Sequence, residues 1–224
     1  MFWQEDTDTQ KDQLKTQVLD LGFSFTCRQL PLDHAASLAE AVLAILPWLE
    51  HEPMAGIHSI HVAATANGWS RPETVLQLSR RARLYLRIPQ HRQRDVLALS
   101  DQQLQINDDT MTIGTARPRA IQPLSCLHAY HVVTEVGESE SAFMQRVADD
   151  LSTHNITVRK MLCGLTSTVQ SKIGPLATRS VMIADLKAQE SLALQSLVVG
   201  RGRLLGCGLF IPHKDIKAVN ATVK

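Results

Sequence analysis

The chain has 224 residues, of which 44% are hydrophobic and 20% are charged. This length is enough for one large domain or for two domains of roughly 100 residues each. The 23 Lys and Arg residues nearly balance the 22 Asp and Glu residues, which argues against a uniformly basic nucleic-acid coat and against an acidic disordered chaperone. The charge is unevenly distributed, because residues 71–94 contain seven arginines and only one acidic residue.

Apolar runs and cysteine usage predict a cytoplasmic protein without a membrane partner. The longest apolar stretch, around Leu38–Leu49, is interrupted by Glu40 and Pro47 and is too short to span a bilayer. The N-terminus lacks a basic region followed by an apolar one. The four cysteines are scattered without a CxxC pair, which is typical of free thiols in a reducing cytosol.

Residues 17–116, after a polar tail of residues 1–16, are predicted to form one α+β unit. Contiguous or alternating apolar residues predict its strands, and apolar residues at helical spacing predict its helices. The predicted elements are a strand at Val18–Arg28, a helix from an Asp33 cap to Leu46, strands at Ile57–Ala64 and Val75–Ile88, a helix at Pro89–Leu99, and a hairpin or closing strand at Leu104–Ile113.

The same order of elements recurs in residues 124–224, after a linker of residues 117–123. The predicted elements are a strand at Leu124–Val136, a helix at Ser139–His154, a strand pair at Thr157–Thr168 and Ala177–Ala184, a helix at Leu186–Leu197 and a strand at Leu204–Ile211. Strand, helix, strand, strand, helix, strand is the order of the ferredoxin-like unit. The sequence therefore predicts an α+β protein with tandem ferredoxin-like (βαββαβ) domains and a C-terminal glycine-rich loop.

The glycine-rich loop, residues 200–208 with the sequence GRGRLLGCG, lies where the last helix meets the last strand. Glycines allow a close backbone approach, and exposed amides together with arginines favour an anion. The loop matches neither the GxxxxGK[ST] motif nor the dinucleotide fingerprint, and a tight turn with a glycine bulge is the alternative. The candidate RNA-binding residues here are Gly200, Arg201, Gly202, Arg203, Gly206, Gly208 and the nearby Lys214.

Three segments carry a resemblance to a known family. They are LLGCGLFIPHK at residues 204–214, LPLDH at residues 30–34, and LPWL at residues 46–49 followed by GIH at residues 56–58. The chain resembles the repeat-associated (RAMP) proteins of CRISPR systems, and within them the myxobacterial-type endoribonucleases that mature CRISPR RNA. The resemblance spans about residues 18–214.

The resemblance implies RNA cleavage without a metal or another cofactor, so the histidines become the candidate catalytic residues. A base must remove the proton of a 2′-OH and an acid must protonate the leaving 5′-oxygen, and imidazole suits both tasks. Family members carry such a histidine on the first helix or in the loop after it, where this chain has His34, His51 and His58. His34 is also a candidate for holding the start of the helix. Which residue is base and which is acid stays open.

Two other groups of histidines are weaker candidates for a functional role. His51, His58 and His61 match no zinc signature and have no cysteine nearby, so no metal site is predicted. His128 and His131 lie three residues apart on a predicted strand, and alternation places them on opposite faces. Both are therefore interpreted as ordinary strand residues.

The alternating strand at Val75–Ile88 is the best candidate for binding RNA. Arg81, Arg83, Tyr85 and Arg87 share one face, which offers cations for phosphates and one ring for stacking. A solvated strand face is the alternative.

The predicted function is a metal-independent endoribonuclease that binds CRISPR repeat RNA and cuts the precursor by 2′-OH attack. The resemblance also implies retention within an interference complex, with other subunits of a CRISPR effector as partners. A non-catalytic RNA-binding scaffold of the same superfamily is the first alternative. A ferredoxin-like module for a small molecule or a protein is the second.

Overall fold

The computed structural model of the chain describes residues 16–61 and 75–213. Lys214, nearly all of the predicted tail and the end of the predicted strand Ile57–Ala64 lie outside these residues. The structure confirms the α+β class, with two main antiparallel sheets and three α-helices in the described residues.

The first sheet contains five strands in the order β3-β5-β1-β7-β6. Its central strand β1 pairs with β5 on one side and with β7 on the other. The strands are β1 Val18–Thr26, β3 Gly56–Ile57, β5 Leu84–Pro89, β6 Gln103–Ile106 and β7 Asp109–Arg119, while the short strands β2 Gln29–Pro31 and β4 Val75–Gln77 pair separately.

One face of this sheet packs on helix α1, Ala35–Ile45. Leu21 and Phe23 of β1 join Leu38 and Val42 of α1 in a core that is almost completely excluded from water. Alternation along β1 sends Asp20, Gly22 and Ser24 to the opposite face. That opposite face is where the candidate site lies.

Three local predictions in this half are wrong. The N-cap of α1 is His34 rather than Asp33, and its side chain makes no capping bond. The predicted strand Val75–Ile88 is interrupted between β4 and β5. The predicted helix Pro89–Leu99 consists of two short 3-10 turns, where Val96 and Leu99 are buried three residues apart, as one face of a 3-10 helix requires.

The predicted hairpin near Asn107 is confirmed, because β6 and β7 meet at a turn where Asn107 has φ of 52°. Strand β7 runs to Arg119. Residues 117–119 therefore belong to the sheet, although the sequence placed them at the start of a linker.

The second sheet has the strand order β11-β8-β10-β9. Its elements are β8 Leu127–Val133, α2 Glu140–Thr153, β9 Lys160–Ser171, β10 Gly174–Ala184, α3 Ala188–Ser196 and β11 Ile211–Pro212. Phe143, Val147 and Leu151 of α2 are buried as predicted. The predicted strand Leu204–Ile211 is wrong, because a 3-10 turn and an irregular segment precede the two residues of β11.

A bulge in β8 changes which side chains share a face. Val181 pairs with Ala129 and Arg179 pairs with Val132, so β8 advances three residues while β10 advances two. An extra residue in one strand breaks the alternation of side chains. Tyr130 and His131 consequently both approach His61, with ring centroids 3.6 and 6.1 Å away. The prediction that His128 and His131 are ordinary strand residues on opposite faces is therefore wrong.

Candidate active site

A cleft of about 260 Å³ opens where the outer face of the first sheet meets the C-terminal half of the chain. Its walls include imidazoles, guanidinium groups and phenol rings. The lining residues are His58, Ser59, His61, Arg81, Ala82, Arg83, Tyr85, Arg119, Tyr130, Gly206, Leu209 and Ile211.

His58 is held at the wall of this cleft directly after β3. Its backbone N–H donates to the carbonyl of Tyr85 at 2.9 Å, which continues the pairing of β3 with β5. Its side chain is 12% exposed, and Nε2 lies 3.3 Å from Oδ1 of Asp20. The imidazole is thus fixed by its backbone on one side and by a carboxylate on the other.

Asp20 is a fully buried carboxylate with three cationic or imidazole partners. Gly56, Arg87, Asp20 and Arg119 form one row across four neighbouring strands. Arg87 donates to Oδ1 at 2.9 Å and to Oδ2 at 3.3 Å, and Arg119 donates to Oδ2 at 2.7 Å. Burial alone raises the pKa of the Asp20 carboxyl, but the nearby Arg87 and His58 lower it far below its usual value. Asp20 is therefore ionised whenever the protein is folded near neutral pH.

The pKa of His58 is lowered by burial and by two arginines, and it is raised by Asp20. Burial lowers it below 6.5, Asp20 opposes this change, and Arg87 and Arg119 add to the lowering. His58 is consequently neutral at pH 7. Since an ionised Asp20 only accepts, Nε2 carries the proton and Nδ1 has the free lone pair. This tautomer is assigned from the hydrogen bond to Asp20.

The other two candidate histidines occupy different environments. His34 is buried, with Nδ1 2.9 Å from the Pro31 carbonyl and Nε2 accepting from the Ile60 N–H. Both of its nitrogens therefore bond to backbone groups outside α1, so the side chain joins neighbouring segments and does not cap the helix. His51 is exposed at the end of the 3-10 turn Pro47–His51 and does not line the cleft.

The predicted cationic strip is only partly present. Arg81, Arg83 and Tyr85 line the cleft. Arg87 does not, because it is 0% exposed and donates to Asp20 and to the Phe210 carbonyl. The prediction that Arg87 shares an exposed face is wrong. Alternation shows which side chains share a face of the sheet, but it does not show whether another part of the chain covers that face.

The glycine-rich loop packs against the site instead of offering free amides. Its glycines at positions 200, 202, 206 and 208 all have positive φ, between 72° and 85°. The N–H groups of residues 205–208 already donate to the carbonyls of Gly202, Arg203 and His131, so they are not free for a phosphate. A Cβ on Gly206 would overlap the Ser59 hydroxyl next to His58. The predicted amide cradle is therefore wrong for these four groups.

The two arginines of the loop have different partners. Arg203 donates to the carbonyls of Leu49, Glu50 and Glu52, and so ties the loop to the turn that carries His51. Arg201 is 64% exposed and lies 3.9 Å from a carboxylate oxygen of Glu135. Only Arg201 remains accessible to a ligand.

A second group of rings borders the cleft on the side of the second sheet. His61 stacks on Tyr130, and the ring of His128 meets Tyr130 edge-on at 4.7 Å. Desolvation and neighbouring imidazoles lower the pKa values of His61, His128 and His131. These rings are thus neutral and aromatic near pH 7.

Sequence reasoning missed Asp20, Arg119, His61 and Tyr130. Asp20 lies 38 positions before His58, and no local motif joins them. Arg119 was assigned to a linker, although the alternation of β7 extends to it. The bulge that gathers the rings depends on the register between β8 and β10, and a single strand does not reveal its register.

A basic cleft with exposed rings is the type of surface with which α+β proteins bind single-stranded nucleic acid. The family model described as "Cas6 Crispr" matches residues 19–215. The chain belongs to the Cas6 family, which confirms the resemblance found in the sequence.

Individual relatives agree with this assignment. The chain is 27% identical over 194 residues to the CRISPR-associated endonuclease Cas6 of Myxococcus xanthus (strain DK1622), covering 87% of this chain and 81% of that protein. A solved structure titled "CRISPR associated protein Cas6" is similar, with a TM-score of 0.61 at 12% identity over 88% of this chain and all of that one. A Cas6-related protein from Pyrococcus furiosus gives a TM-score of 0.56 at 12% identity over 87% and 98% of the two chains.

No helix within residues 16–61 and 75–213 is both long and apolar enough to cross a membrane.

Proposed function

We propose that this protein is an endoribonuclease that binds CRISPR repeat RNA and cuts the precursor transcript within each repeat. Family membership and the endonuclease from Myxococcus xanthus support the substrate and the type of reaction. The observation that carries the proposal is the contact between His58 and Asp20 at the wall of a basic cleft.

In the proposed mechanism His58 is the general base. Its Nδ1 removes the proton of a 2′-OH, and the resulting oxygen attacks the adjacent phosphorus. The bond from phosphorus to the 5′-oxygen then breaks, and a proton from water converts the leaving oxygen to a 5′-hydroxyl beside the 2′,3′-cyclic phosphate. Asp20 stabilises the imidazolium that forms, and Arg83 and Arg119 face the negative charge that develops on the phosphorane. Neither His51, which does not line the cleft, nor His34, whose two ring nitrogens bond to backbone, takes part in this proposed step.

The test compares the all-ribose repeat with one that carries a single 2′-deoxy nucleotide at the mapped cut. Removing one hydroxyl eliminates the nucleophile but leaves every phosphate, so the deoxy RNA should bind almost equally and remain uncut. Equal cutting of both RNAs would show hydrolysis by water. Cutting of neither would favour the non-catalytic scaffold.

We also propose that cleavage needs no metal ion. Among the described residues, no three His, Cys, Asp or Glu side chains are grouped so that they could hold one. Cleavage rates should therefore be the same with and without excess EDTA. Loss of activity that added divalent metal restores would contradict this mechanism.

The remaining architectural and cellular predictions belong to the same proposal. In each main sheet the first and third strands in chain order, β1 with β5 and β8 with β10, are adjacent interior strands. This arrangement supports tandem ferredoxin-like domains at residues 17–116 and 124–224. A cytoplasmic location and association with other CRISPR effector subunits follow from the family.

A further inference from the structure

We propose that a second cleft, on the same face of the first sheet, binds the phosphates of RNA nucleotides that flank the cleaved linkage. We name it the β7 cleft, and its walls are Gly22, Ser24, Arg83, Tyr85, Thr115, Arg117, Pro118 and Arg119. This inference rests on the proposed function, since it assigns a further binding site to the same RNA.

The two clefts adjoin each other. Arg83, Tyr85 and Arg119 line both of them. The β7 cleft has a volume of about 300 Å³. A strand of RNA whose scissile phosphate lies beside His58 therefore has a continuous path into the β7 cleft.

The sheet register places Arg119 and Arg117 of the β7 cleft in two rows that are separated by one further row. Arg119 pairs with Asp20, and Arg117 pairs with Gly22, which in turn pairs with Tyr85. Residues in register across antiparallel strands point to the same face. Two guanidinium groups thus project from one strand, two residues apart, over a groove that a single-stranded backbone can follow.

The lining of the β7 cleft is positively charged, and among the described residues it includes no aspartate or glutamate. Arg117 is exposed, and no salt bridge to it is found in the part of the chain that the structure describes. The neighbouring carboxylate of Asp20 is buried and already engaged by Arg87. Arg83 is also exposed, but its Nη1 already donates to the carbonyls of Arg80 and Ala82. Arg117 is therefore the cation in this cleft that is most available to a phosphate.

Hydroxyl groups and one glycine complete the cleft. Ser24 and Thr115 present hydroxyls 3.5 Å apart, which are suited to phosphate or ribose oxygens. A Cβ on Gly22 would lie 2.6 Å from the ring of Tyr85, so glycine lets this ring lie across β1. The guanidinium of Arg119 stacks over the same ring at 4.4 Å. The floor of the cleft is thus a fixed aromatic and cationic surface.

The experiment measures binding of Arg117→Ala to the repeat RNA carrying the single 2′-deoxy nucleotide, so that no cleavage disturbs the equilibrium. Arg94→Ala is the matched control, because Arg94 is exposed and lines neither cleft. Arg117→Ala should weaken binding and reduce the salt-dependence slope by about 0.7 for the one lost phosphate contact. Arg94→Ala should keep the wild-type slope, and thermal melts should show that both variants fold.

A second measurement locates the contact on the RNA. The repeat is shortened from its 5′ end or from its 3′ end up to the cut, and binding of wild type and Arg117→Ala is compared for each RNA. With one of the two shortened RNAs, Arg117→Ala should bind as tightly as wild type, so that the penalty in affinity is lost. A wild-type slope for Arg117→Ala, or a penalty that persists with both shortened RNAs, would overturn the β7 cleft. Failure of the proposed function is distinguishable, because wild-type protein would then leave the all-ribose repeat uncut.

Discussion

The cleft is bordered by His58 on one side and by three further histidines on the other, and the two sides differ in whether a carboxylate contacts the imidazole. His58, on the side of the first sheet, contacts a buried carboxylate that is itself held by two arginines. His61, His128 and His131, on the side of the second sheet, contact rings, one another and a threonine hydroxyl. His58 therefore has a carboxylate that can stabilise its protonated form, whereas the other three imidazoles have no such carboxylate among their described contacts.

This difference separates proton transfer from binding. A carboxylate fixes the tautomer of His58 and stabilises the charge that it gains as a base. Imidazoles without such a partner stay neutral, and a neutral ring stacked on Tyr130 offers an aromatic surface to a base. The charge beside each histidine therefore says more about its role than the number of histidines near the cleft does.

The strongest way to break this comparison is to remove His58. His58→Ala should slow cleavage by about 10²–10⁴-fold, because the general base is lost, while RNA affinity changes little. Single-turnover rates at saturating RNA measure the effect. His51→Ala is the control, since His51 lies outside the cleft lining, and it should cut within a few-fold of wild type. A slow His51→Ala together with a fast His58→Ala would transfer the role to the exposed turn.

Removing Tyr130 should give the complementary result. Tyr130 is 41% exposed beside His61, and loss of one base–aromatic stack weakens binding by about tenfold or more. Tyr130→Ala should therefore raise the dissociation constant and leave the rate at saturating RNA unchanged. Tyr130→Phe keeps the ring and should bind like wild type. An altered saturating rate with unaltered affinity would place Tyr130 in the chemistry instead.

The pH profile of cleavage distinguishes a positioning role of Asp20 from a purely structural one. Asp20 raises the pKa of His58 and Arg119 lowers it. Under saturating RNA, the acidic limb of the profile should move to lower pH in Asp20→Asn and to higher pH in Arg119→Ala. Limbs that move in the same direction, or that stay in place, would show that neither residue tunes the base.

Several elements of the fold were predictable because their signals are local. Phe143, Val147 and Leu151 at helical spacing after Ser139 identify α2, whose N-cap Ser139 accepts from the Ala142 N–H. The turn at Asn107 likewise carries its own signal. The family resemblance likewise points to the segment around His58, which lies at the wall of the cleft.

The remaining features of the site depend on contacts between distant parts of the chain. Arg87 follows a polar alternation, but the segment containing Phe210 covers it. Asp20 becomes important only because β5 and β7 bring Arg87 and Arg119 beside it. Strand pairing creates both arrangements, and a linear pattern of residue types carries no information about which strands pair.

The smallest expected effect concerns stability, and it tests whether the ring group stays neutral. Imidazoles of the unfolded chain titrate near pH 6.5, while the folded pKa values of His61, His128 and His131 lie below this. Below pH 6.5 the unfolded chain therefore binds more protons than the folded chain, so stability decreases as the pH is lowered from 7 to 5.

The variant His61→Gln removes one of these three imidazoles and its repulsion of the others. Since solvent screens the charge of the exposed His61, its titration should contribute about 1 kcal/mol, which corresponds to about 2–4 °C in a protein of this size. The melting temperature of the variant should therefore fall by about 2 °C less than that of wild type over this range. His154→Gln, at the exposed end of α2, serves as the control and should follow wild type. An equal decrease for His61→Gln and wild type would mean that His61 titrates normally, and the contrast between the two imidazole groups would then rest on His58 alone.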